Sequence, residues 1–188
     1  MFFPVRVAAV LGLMFAVLSH AAEGDAAAGK RKTVTCNACH GQSGFKSMPK
    51  LGGQSAAYLA AALRAYKEDR RAHATMRDVA HALSERDISD LAAHYASAQE
   101  IAGEGPATAP TGIERCAVCH GADGAQPVTP EVARIAGQSV GYLEQTLREY
   151  KTGTRPHAVM QEQVRELGDA QIAELAAWFA AQKALCVK

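Results

Sequence analysis

Two apolar stripes recur along this chain, in the same order each time. Tyr58, Leu59, Leu63 and Tyr66 mark one helical face, and Tyr142, Leu143, Leu147 and Tyr150 repeat it. Ile88, Leu91, Ala92 and Tyr95 fall at i, i+3, i+4 and i+7, as do Ile172, Leu175, Ala176 and Phe179. Each half therefore ends in an amphipathic helix, for which Ser84 and Asp169 are the expected N-caps. A further short helix is expected over "DAAAGKRKTV", and a poorer one over "TGIER". Strand signals are few, so the chain reads as all-α.

The stripes belong to a longer repeat. "LGGQSAAYLAAALRAYKEDRRAHATM", from Leu51 to Met76, lies without a gap over "IAGQSVGYLEQTLREYKTGTRPHAVM", from Ile135 to Met160. Upstream, "TCNACHGQSG" from Thr35 is matched by "RCAVCHGADG" from Arg115. The Cys-x-x-Cys-His motifs lie 80 residues apart and the longer segments 84, so four extra residues sit between Gly121 and Ile135 in the second copy. Between the copies, "IAGEGPATAPTG" lacks an apolar period and reads as a linker. Two small domains in tandem are expected.

Composition adds the compartment. Arg6 is the only charge before an apolar run from Val7 to Leu18, and small residues follow at "SHAA". This predicts a secretory signal peptide over residues 1–22, cleaved after Ala21 or Ala22. The run falls short of the roughly 20 residues a membrane span needs, so the mature chain is expected to be exported, periplasmic and without a transmembrane segment. Of the 20 basic and 19 acidic residues, the signal removes Arg6 alone and leaves a neutral chain. Balance of this kind gives no basic face for nucleic acid. The charge is unevenly placed: residues 23–103 carry 11 basic and 9 acidic side chains, and residues 104–188 carry 8 and 10.

Domains of this size build marginal apolar cores, and a cofactor is a common supplement. Cys-x-x-Cys-His is the attachment signature of c-type haem. Two residues between the thiols let both sulfurs reach the vinyl groups on one macrocycle edge, and the next residue places an imidazole beneath the iron. Cys36 and Cys39 would form the first pair of thioethers with His40 as iron ligand, and Cys116, Cys119 and His120 the second. Two covalent haem c groups are therefore expected. A redox dithiol or half a zinc site is the competing reading of each pair. Neither copy offers a zinc ribbon's second ligand pair or a thioredoxin motif's helix-opening context.

A methionine as sixth ligand raises the potential and closes the iron. Met76 and Met160 occupy equivalent repeat positions and are the candidates, while Met48 has no counterpart and reads as packing. His73 and His157, three residues before each methionine, leave a bis-histidine alternative open. The four repeated tyrosines read as core aromatics whose hydroxyls need partners. Arg71 and Arg155 read equally as haem-propionate partners or exposed loop residues, Trp178 as packing, and Cys186 as a free thiol or an intermolecular disulfide.

Through "CNACHG", "CAVCHG", the two "GQS..YL...LR.YK" segments and the "HATM" and "HAVM" ligand loops, the chain resembles the dihaem cytochrome c4 family of two tandem class I cytochrome c domains. The resemblance covers nearly the whole mature chain. It implies domains over 23–103 and 113–188 joined by a linker at 104–112, with haems facing each other across the interface. It also implies a proline carbonyl orienting each proximal histidine, a role that Pro49 fits and for which Pro127 and Pro130 compete in the second copy. The implied function is electron carriage, without enzymatic chemistry, from a quinol-oxidising complex or dehydrogenase to a terminal oxidase or reductase. Its partners would be redox proteins, with peripheral association to membrane complexes. A cytochrome subunit of a dehydrogenase, such as a flavocytochrome, is the alternative. A dihaem peroxidase fits less well, because matched methionines close both irons.

Overall fold

The computed structural model describes residues 24–41, 47–97 and 108–182. The signal segment, residues 104–107 of the linker and Cys186 lie outside the described residues.

Local caps begin the helices. The Asp25 carboxylate accepts from the Ala27 and Ala28 N–H groups and opens α1, Ala26–Lys32. After Thr33 the chain resumes as α2, Val34–His40, which carries the first Cys-x-x-Cys-His. Ser55 caps α3, Ala56–Lys67. α4 spans Ala74–His81, and α5 spans Glu85–Ala96. The Ser84 hydroxyl accepts from Asp87 N–H while the Asp87 carboxylate takes the Ser84 N–H at 2.9 Å, the reciprocal capping expected at the start of α5. The second copy supplies α6, Ile113–His120, α7, Val140–Thr152, α8, Ala158–Val164, and α9, Asp169–Ala181. Among the described residues no strand occurs.

Two boundaries differ from the sequence reading. "TGIER" forms no separate helix: Gly112 is left-handed, at φ 87°, and the chain enters one helix that includes the second motif. α9 is capped one residue earlier than expected, at Gly168, because the Gln171 side chain reaches back to the Gly168 N–H at 3.0 Å. Asp169 is instead the first helical residue, where its charge favours the helix N-terminus.

Each copy gathers its own core behind its motif. Leu59, Leu91, Ala92 and Tyr95 pack with Cys36, Leu51 and Leu83 in the first. In the second, Tyr150, Val164, Leu167, Ile172 and Leu175 pack with Cys116 and Met160. One tie recurs in both: Gly53 N–H bonds the Tyr95 carbonyl at 2.9 Å, and Gly137 N–H bonds the Phe179 carbonyl at 2.8 Å. Both glycines are left-handed, at φ 73° and 66°, a conformation that only glycine adopts at little cost.

α1 crosses α5 at Gly29, where a Cβ would overlap the Asp90 carbonyl. Asp90, 2% exposed, sits at this crossing and accepts from Asp25 N–H at 2.8 Å, Lys32 Nζ at 2.8 Å and Arg86 Nε at 3.0 Å. The side-chain hydrogen bonds from Lys32 hold the Asp87 and Asp90 carboxyls below their ordinary range. The matching residue in the second copy, Glu174, is exposed. Depressed carboxyls contribute stability above their unfolded pKa and lose it as pH falls. Amides of α1 should therefore lose exchange protection below roughly pH 4, before those of α6 do. Simultaneous loss in both helices would count against this.

The copies meet through a pseudo-twofold contact in which equivalent residues exchange partners. Arg71 Nη2 donates to the Tyr142 hydroxyl at 3.0 Å, and Arg155 Nη2 donates to the Tyr58 hydroxyl at 3.2 Å. Lys50 Nζ reaches the Gly137 carbonyl at 2.6 Å, and Arg134 Nη1 reaches the Gly53 carbonyl at 2.8 Å. Ser139 Oγ donates to the Met48 carbonyl at 2.7 Å, and Ser55 Oγ donates to that of Pro130.

Candidate functional site

α2 and α6 present their thiols one helical turn apart, with the histidine next along the chain. Cys36, Cys39, Cys116 and Cys119 are half-buried, and burial raises the Cys36 and Cys116 thiols. Among the described residues no three His, Cys, Asp or Glu side chains gather as a metal site. Each pair places two thiols and an imidazole along one helix, the donor set that haem attachment requires.

Both imidazoles are held from behind by a backbone carbonyl. His40 Nδ1 donates to the Pro49 carbonyl at 3.0 Å, and His120 Nδ1 donates to the Ala133 carbonyl at 2.7 Å. A carbonyl only accepts, so the proton is on Nδ1 and Nε2 carries the free lone pair. Burial lowers the pKa of both rings, which favours the neutral form that ligates a metal. In the second copy neither Pro127 nor Pro130 supplies the carbonyl. Ala133 occupies the repeat position of Pro49, and the task requires a carbonyl oxygen, which any residue has.

The methionines stand on short helices rather than in loops. Met76 lies in the first turn of α4 and Met160 in the first turn of α8, both partly buried. His73 Nδ1 accepts from Met76 N–H at 3.2 Å, and His157 Nδ1 accepts from Met160 N–H at 3.3 Å. Each exposed histidine is therefore the N-cap of its methionine's helix, and edge contacts with Tyr66 and Tyr150 fix its ring. The sequence showed the matched histidines but not this role, because histidine is an uncommon cap. In the second copy Met160 packs into the same apolar cluster as Cys116.

The repeated arginines and tyrosines form a further cluster between the domains. Arg155 is 7% exposed, not a free loop residue; it lies 4.7 Å over the Tyr150 ring and donates to the Tyr58 and Tyr142 hydroxyls and to Thr146. Arg71 lies 4.5 Å over the Tyr66 ring. Among the described residues no carboxylate pairs with either guanidinium. Burial opposes ionisation of both interface phenols, while the Arg71 and Arg155 guanidiniums favour it. Such a site carries excess positive charge and suits an anion. Tyr58 and Tyr142 are thus interface hydroxyls, whereas Tyr66 and Tyr150 are buried in the core. Trp178 packs edge-on against Phe179 at 4.9 Å, in line with a packing role.

No family model matches the chain. Cytochrome c4 of Pseudomonas aeruginosa is 31% identical, over 92% of this chain and 95% of that protein. A protein of Thiomonas intermedia named thiosulfate dehydrogenase electron acceptor is 32% identical, over 96% and 93%. The solved cytochrome c4 of Acidithiobacillus ferrooxidans superposes with a TM-score of 0.67 at 29% identity, covering 79% of this chain and 99% of that one. Relatives of this kind are electron carriers with two covalently bound haem c groups in two all-α domains. With the same two-domain all-α fold and a similarity that runs nearly the length of both proteins, the chain belongs to the dihaem cytochrome c4 family.

Proposed function

We propose that this chain is a periplasmic electron carrier that accepts electrons from a dehydrogenase or quinol-oxidising complex and delivers them to a terminal oxidase or reductase. The observation that carries the reading is the repeated combination of a Cys-x-x-Cys-His imidazole, its Nδ1 proton on a backbone carbonyl, with a methionine in the first turn of a later helix of the same copy. Cys36, Cys39, Cys116 and Cys119 would hold two haems, with His40 and Met76 as axial ligands of one iron and His120 and Met160 of the other. The haem supplies a one-electron couple at its iron. The protein holds the ligands fixed so that little rearranges when charge changes by one.

Arg71 and Arg155 support the same reading. Burying unpaired guanidiniums is costly unless anions accompany them, and haem propionates would meet that need. Of the two donor classes, the Thiomonas intermedia relative favours a dehydrogenase, since its name describes a dehydrogenase's acceptor. The domain limits at 23–103 and 113–188 and the export signal over 1–22 belong to this proposal.

The test is a stopped-flow cycle with the holoprotein. Reduction by a periplasmic dehydrogenase and reoxidation by an oxidase-linked acceptor should each pass through both haems, with no peroxide turnover. Rapid peroxide reduction, or failure to exchange electrons with any soluble partner while remaining bound to a flavoprotein, would replace the carrier reading.

A further inference from the structure

The most deeply buried polar side chains of the domain interface are Gln54 and Gln138, repeat equivalents that are each 4% exposed. Each grips one residue of the opposite domain by both main-chain groups. Gln138 Oε1 accepts from Lys50 N–H at 2.7 Å, and Gln138 Nε2 donates to the Lys50 carbonyl at 2.9 Å. Gln54 Oε1 accepts from Arg134 N–H at 2.9 Å, and Gln54 Nε2 donates to the Arg134 carbonyl at 2.8 Å. Neither amide has freedom to turn, because its oxygen also accepts from the following serine N–H, at 2.9 Å for Ser55 and 2.8 Å for Ser139.

The residues gripped stand beside the histidine acceptors. The Pro49 carbonyl and the Lys50 N–H belong to one peptide unit, which is planar and rigid. Its oxygen takes the His40 Nδ1 proton, and its N–H gives to Gln138. In the other domain, the peptide between Ala133 and Arg134 takes the His120 proton on one edge and gives to Gln54 on the other. The wiring is crossed: the C-terminal domain's glutamine backs the N-terminal histidine, and the N-terminal glutamine backs the C-terminal histidine.

We propose that Gln54 and Gln138 are positioning residues for the axial histidine of the opposite domain, so that docking of the two domains sets the ligand strength at both irons. The inference rests on His40 and His120 being the proximal ligands. An N–H that donates to a good acceptor polarises its peptide and makes the carbonyl a better acceptor. A better acceptor at Nδ1–H makes the imidazole a stronger donor through Nε2. Loss of one glutamine's acceptor should therefore weaken the histidine of the other domain and destabilise its ferric state.

Gln138→Met, similar in length and without the amide, tests this in the dihaem protein by redox titration and by NMR of the paramagnetically shifted haem resonances. The potential of the N-terminal haem should rise and its shifted signals should move, while those of the C-terminal haem, whose domain bears the substitution, stay at their wild-type values. Gln54→Met should give the mirror result. Gln138→Glu keeps an acceptor for Lys50 N–H and strengthens it, so it should move the N-terminal haem in the opposite sense and covers the case in which the methionine variant loosens the interface. A response confined to the haem of the substituted domain, one shared equally by both haems, or none in either would overturn the proposal. His40→Ala separates the two failures: if His40 is a ligand, that variant loses the N-terminal low-spin signals whatever the glutamines do.

Discussion

Replacing Cys116 and Cys119 together with alanine should remove haem from the C-terminal domain and unfold α6 to α9. Cys116 packs into both apolar clusters of that domain, and Met160 packs into one of them. The haem would sit between these two residues, so its loss removes the surface on which the clusters close. A domain this small has little apolar area to spare, and the binding free energy of its prosthetic group is then folding free energy. Haem absorbance should fall by half, and the far-ultraviolet helix signal should fall with it. The N-terminal domain should keep its haem and its methionine ligation. Helices α7 and α9 that remain protease-resistant without haem would contradict this.

The second large effect is expected at the methionines. Met76→Ala should remove about half of the near-infrared sulfur-to-iron charge-transfer band and open the sixth position of the N-terminal iron. The potential of that haem should fall by on the order of 0.1 V, since axial ligands move haem potentials over about 0.8 V in all. Met160→Ala should do the same at the other iron. Peroxide reduction, which the wild type is expected to lack, should appear in either variant. An intact band in Met76→Ala would exclude that residue as a ligand and return attention to His73. His73 already accepts the Met76 N–H through Nδ1, so it would have to ligate through Nε2 while capping α4.

Much of this was legible in the chain because the relevant signals are local. The apolar stripes located α3, α5, α7 and α9, since burial on one side of a helix leaves a period in its own residues. The thiol and imidazole of each motif are neighbours along one turn, so their spacing carries their geometry. The repeat matched Met76 to Met160 despite the inserted residues. The capping of α4 by His73 was missed because its ring nitrogen imitates a serine or aspartate oxygen, and no residue preference reports that.

The sequence by itself determined an all-α chain, two Cys-x-x-Cys-His motifs and two methionines at matched repeat positions; that each motif lies on a helix came from the structure. Only the tertiary structure decided which residues act across the domains. Arg155 reaches Tyr58, Gln138 reaches Lys50 and Gln54 reaches Arg134 over separations of 80 to 97 residues. A side chain's periodicity records that it is buried, not what it is buried against. Two copies of a repeat can meet in many registers, and the register is chosen by the combined fit of the surfaces. That choice turned an apparent core tyrosine into an interface hydroxyl and a loop arginine into a buried charge. It also set the glutamine of each domain behind the histidine of the other.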